Sequence, residues 1–172
     1  TGIGDVAVGA KQVLFHSLRL GTIASIAGEV VLPTGNSAKG FGTGTTVLEP
    51  FLAFGQLLPA NGFVQLQTGA GIPTDGGPVE GFGRMAVGMT FDVGRYGRSF
   101  SPMLEGVVVR ELEAGQPTNV DLVPGLQVTL SRRKHIRAAA GASIPLAERS
   151  RPVQIIAYLL WDWFDGGLFE AW

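Results

Sequence analysis

The chain offers few groups that could do covalent chemistry. It has no cysteine and two histidines, His16 and His135. Thiolate nucleophiles, disulfides and cysteine-bound zinc are thereby excluded, and two histidines cannot supply a three-histidine catalytic zinc. His16 precedes Ser17, and His135 lies not far before Ser143, which invites a serine-hydrolase reading. A triad is a geometry rather than a sequence neighbourhood. His16 is predicted in a turn and His135 at a strand start. The glycine-rich stretch Gly35–Gly44 carries Lys39 and invites a phosphate cradle. A P-loop needs its lysine after the second glycine and a helix behind it. Here Gly40 follows Lys39, and the next segment reads as a strand. The stretch is better read as an outer loop, with Lys39 and Phe41 at a pore mouth. No catalytic residue, cofactor or metal is expected.

The remaining candidates are isolated charges: Arg19, Glu29, Glu49, Arg84, Glu105, Asp121, His135 and Arg137. Each falls on the polar side of an alternating segment, where it would line a pore and tune what passes. The competing reading is that these side chains pair across strands and fill a narrow interior. Their mixed signs argue against strong anion or cation selectivity. The net charge of -1 gives no electrostatic case for nucleic acid.

Strands must carry these residues, because apolar positions recur every second residue. Met85, Val87, Met89, Phe91 and Val93 oppose Arg84, Ala86, Gly88, Thr90 and Asp92. Val120, Leu122, Leu126, Val128 and Leu130 oppose Asp121, Gly125, Gln127, Thr129 and Ser131. The pattern predicts nine strands near 4–15, 18–32, 45–58, 62–72, 82–93, 101–113, 119–131, 134–146 and 152–163. Most exceed the five or six residues usual in globular strands and suit a tilted membrane strand. The 26 glycines and the low charged fraction of 16% fit a crowded lumen of small polar side chains better than a solvated exterior. The longest apolar stretch, near Ile155–Trp161, is too short for a spanning helix.

The connections add a direction. Tight turns are predicted at Phe15-His16-Ser17, Pro59–Gly62 and Ser131–Lys134. Long loops are predicted at Pro33–Gly44 and Pro73–Gly81, and shorter ones at Ala114–Thr118 and Ala147–Arg151. Gly94–Phe100 is the exception, a longer loop where a tight turn is expected. Short periplasmic turns and longer outer loops are the usual asymmetry of outer-membrane barrels. Three segments leave through a glycine-to-proline exit, at Gly28–Pro33, Gly71–Pro73 and Gly141–Pro145, and all three should share one rim. An even strand count then calls for an odd number of further strands before Thr1. Three would give a twelve-strand antiparallel transmembrane β-barrel.

Gly2-Ile3-Gly4-Asp5-Val6 with Gly9-Ala10-Lys11, and Leu32-Pro33-Thr34-Gly35 followed by Lys39-Gly40-Phe41-Gly42-Thr43-Gly44, together resemble the outer-membrane family of phenol meta-degradation pathway and transporter proteins. The resemblance covers roughly 2–163. It implies an all-β barrel in the bacterial outer membrane that passes aromatic and other hydrophobic compounds. Residues 1–163 would form the barrel strands and loops, and 164–172 an aromatic tail. Asp165-Gly166-Gly167 sets that tail apart from the family's usual closing strand. Phe169 and Trp172 could dock a protein partner, whereas Trp161 and Trp163 read as an interfacial girdle. The leading expectation is a passive channel whose partners are the lipid bilayer and a small hydrophobic solute. The alternatives are a structural barrel within a larger outer-membrane assembly, sheathing an electron-transfer partner, and a soluble β-barrel that binds a ligand.

Overall fold

The computed structural model describes residues 4–39, 41–93, 98–131, 136–147 and 150–161. They form one antiparallel sheet, curled into a half-barrel. Its strands are β1 (Val6–Ser17), β2 (Thr22–Leu32), β3 (Val47–Leu58), β4 (Gly62–Pro73), β5 (Glu80–Met89), β6 (Phe91–Val93), β7 (Arg98–Glu111), β8 (Thr118–Thr129), β9 (Ile136–Pro145) and β10 (Gln154–Trp161). β6 continues the path of β5 beyond Thr90, and both pair with β7. The ten segments therefore make the nine rungs that the alternation predicts. Each rung pairs antiparallel with the next in sequence. Nine antiparallel rungs leave β1 and β10 running the same way. Among the described residues neither outer edge has a partner strand.

Cross-strand partners share a face, and the register makes the two faces chemically opposite. Leu52, Leu66, Met85, Val87, Leu104, Val108 and Leu126 are exposed on one, the convex face. The other is concave and carries Ser25, Ala27, Ala86, Asp121, Thr129 and Ser143, all buried. Exposed large apolar side chains thus cover the outside, while the inside gathers the charges and many small side chains beside Phe51, Phe82 and Met103, the reverse of a soluble barrel or sandwich, whose outward face is polar. Among the described hydrophobic residues only Ala27, Val47 and Ala86 are buried, so no packed apolar core sits behind this sheet.

Three prolines stand inside strands that have neighbours on both sides, where each removes a ladder donor. Gly69 faces Phe51, Gly88 faces Met103 and Gly141 faces Gly125, in each case the residue after the proline (Pro50, Pro102 and Pro124), and a Cβ on the glycine would press on the proline carbonyl oxygen. The paired ladder is interrupted beside Pro50 and Pro124. Part of the glycine content therefore permits close approach at these points.

The connections fall on two rims. One rim holds the short links 18–21 and 59–61, and there β6 ends and β7 begins, and β8 ends and β9 begins. The other holds 33–46, 74–79, 112–117 and 146–153. All three glycine-to-proline exits leave on the long-loop rim, as expected. Two sequence expectations need correction. β1 runs through His16 to Ser17, and the turn is Leu18–Gly21, closed by Gly21 at φ 65° and by its N–H donating to the Leu18 carbonyl (3.3 Å). Leu18 and Leu20 had prolonged the apolar alternation without belonging to a strand. The long loop expected at Gly94–Phe100 is shorter, because Arg98–Phe100 pair with Val93–Phe91 and the Phe91 and Phe100 rings stack at 5.0 Å.

Candidate functional site

The register gathers the strand-borne charges. Glu29 faces Glu49 across β2 and β3. Arg84 lies between Gln67 and Val107, Val107 faces Asp121, and Glu105 faces Ala86. Arg137 faces Thr129. Because alternate residues of a strand share a face, Glu29, Glu49, Arg84, Glu105, Asp121 and Arg137 all belong to the concave side. Lys11, opposite Ala27, joins them. Arg19 does not: it sits in the exposed turn Leu18–Gly21, outside any strand. His135, Phe169 and Trp172 lie outside the described residues.

Two cavities line this face. One, of about 680 Å³, is bordered by Lys11, Glu29, Glu49, Gln65, Gln67 and Arg84. The other, of about 450 Å³, is bordered by Asp121, Ser143, Gln154 and Ile156. They meet at Arg84, Met103, Glu105 and Tyr158, which border both. Arg84 holds its guanidinium 5.4 Å from the centre of the Phe82 ring, a cation–π placement. Glu49 feels Glu29, Arg84 and Glu80. Mid-trough therefore presents one stacked cation among carboxylates, amides and a phenol. It can take a solute by hydrogen bonds and apolar contact, but nothing there pairs a nucleophile with a base. A further groove, about 750 Å³, is lined chiefly by Leu52, Leu66, Met85 and Val108 and belongs to the apolar face.

Asp121 is already committed. Ser143 Oγ donates to its Oδ2 (2.9 Å), and Arg151 grips both oxygens at 2.9 and 3.0 Å. Such a bidentate pair fixes geometry as well as charge. Arg151 comes from the loop between β9 and β10, so it pins that loop to the concave wall. The sequence reading missed it. The only signal was a lone carboxylate on a small-residue face with arginines in a nearby loop, and Arg149 fitted that signal equally well.

A second missed residue organises the long loop. Asp5 accepts from the Gly35 N–H (2.8 Å), the Thr43 N–H (2.7 Å) and Thr43 Oγ1 (2.8 Å). These donors hold its carboxyl below the ordinary value of 3.8, the Thr43 amide first. A Cβ on Gly35 would overlap the Phe41 carbonyl oxygen, and one on Gly42 would overlap the Asp5 carboxylate. The two motif stretches therefore meet in space, and the glycines are needed where they meet. Lys39 ends a short 3-10 turn and is exposed, while Phe41 is half-buried. His16 is exposed on β1. No family model, curated protein or solved structure matches this chain.

Proposed function

We propose that this chain forms most of an outer-membrane β-barrel that passes small hydrophobic or aromatic solutes without covalent chemistry. One observation carries the reading: the convex face is covered by exposed large apolar side chains, while the charges and most of the small polar side chains face the hollow beside a few large apolar ones such as Phe51, Phe82 and Met103. Water would oppose that arrangement and lipid would favour it. Glu29, Glu49, Arg84, Glu105, Asp121 and Arg137 would line the path, with the loop residues Lys39 and Phe41 at one end. The parallel run of β1 and β10 favours closure by an odd number of further strands, and three would complete a twelve-strand barrel. The solute class and the family follow the resemblance of the Pro33–Gly44 stretch, whose glycines and threonine serve the Asp5 network.

Two measurements test this. Planar-bilayer conductance or liposome swelling should report solute passage by the purified protein, and a sealed, silent barrel would sink the channel reading. Met85→Arg places a charge near mid-strand on the convex face. In lipid it should cost about 2–4 kcal/mol and depress insertion. In a soluble protein the same exposed site should tolerate arginine within about 0.5 kcal/mol.

A further inference from the structure

We propose that the short-turn rim is a collar for phospholipid headgroups that carry a net negative charge. The inference rests on the reading that the convex face meets lipid, and it adds which lipid and which residues.

Charge is polarised along the strands. Among the described residues eight carboxylates and three cations, Lys39, Arg110 and Arg151, lie toward the long-loop rim, while Lys11, Arg84 and Glu105 lie near mid-strand. The short-turn half holds Arg19, Arg98 and Arg137 against Asp92 alone.

The same rim is aromatic on its convex side. Phe91 and Phe100 stack at 5.0 Å with their rings 17° apart, and both are exposed. Trp161 closes β10 at the same end, also exposed. Aromatic rings at a strand end settle at headgroup depth.

The Leu18–Gly21 turn joins the two features. Arg19 stands between Leu18, 96% exposed, and Leu20, 62% exposed. Gln56 holds the turn by donating from Nε2 to the Leu20 carbonyl (2.7 Å). Leucines flanking an exposed arginine suit a boundary between acyl chains and phosphates, where the aliphatic part is buried and the guanidinium stays in the polar layer. A purely aqueous polyanion would give the leucines nothing.

The test reconstitutes the full chain into phosphatidylcholine vesicles with and without phosphatidylglycerol, and measures the protease-protected, inserted fraction. Phosphatidylglycerol should raise that fraction, and high salt should erase the gain. In the Arg19→Gln, Arg98→Gln double variant the gain should fall roughly fivefold per arginine, with insertion into phosphatidylcholine alone unchanged. Lysine at both positions should restore it. An unchanged gain in the glutamine variant overturns the proposal, as does its complete suppression by free inorganic phosphate at matched ionic strength, which would indicate an ion site. Failure to insert into either vesicle overturns the membrane reading itself, a distinguishable result.

Discussion

Asp5 and Asp121 both tie a long-rim loop to the sheet, by opposite means. Asp5 collects backbone amides, so its partners must bring their main chain close, and glycine stands at 35 and 42 for that reason. Asp121 collects side chains, Ser143 and Arg151, and needs no special backbone. Asp5 lies at the solvent edge, whereas the Asp121 side chain is only 12% exposed. The first network is written into the sequence as a glycine pattern. The second is carried by one charge whose partner is chosen only in space.

The largest expected effect is at the enclosed network. Arg151→Ala strips Asp121 of its counter-ion and should cost about 2 kcal/mol, read as a lower denaturant midpoint in detergent micelles. A loss below about 0.5 kcal/mol would class the pair as a screened surface bridge and erase the contrast. Gly35→Ala should come next, displacing the Phe41 carbonyl at a cost of about 1–3 kcal/mol, confined to residues 33–46 and visible as faster proteolysis of that loop. Gly28→Ala is its control, since a Cβ there meets nothing within 4 Å.

A pH titration sharpens the comparison further. The folded Asp5 carboxyl titrates below its ordinary 3.8, so its contribution is complete above that value and lost as pH falls through the lower folded one. Hydrogen exchange at the Gly35 and Thr43 amides should quicken in that acid window, and Asp5→Asn should weaken the dependence. If exchange at these amides ignores pH throughout the window, Asp5 does not hold the loop. The smallest effect belongs to Glu49→Gln, which removes one of two carboxylates facing across β2 and β3. It should stabilise by about 0.2–1 kcal/mol, and in a conducting barrel it should shift ion preference slightly toward anions.

Much of the fold was legible because alternation at period two is local. Met85 through Val93 show their faces without reference to any other strand, and the turn chemistry of Pro59–Asn61 and the glycine-to-proline exits placed strand ends within a few residues. Errors arose where local pattern and pairing disagreed. Leu18 and Leu20 looked like strand until Gly21 closed the turn, which removed Arg19 from the concave set. Arg98–Phe100 looked like loop until the Phe91–Phe100 pairing drew them into β7.

The sequence by itself determined that this chain makes long amphipathic strands, that one face is apolar and the other small and polar, and that charges are sparse. Those properties follow from residue order alone, because each strand presents alternate side chains to opposite sides. Only the tertiary structure decided which face is concave, that Glu29 meets Glu49, that Arg151 grips Asp121, and that Asp5 binds a loop some thirty residues away in the chain. Such contacts depend on register and curl, which no single strand encodes.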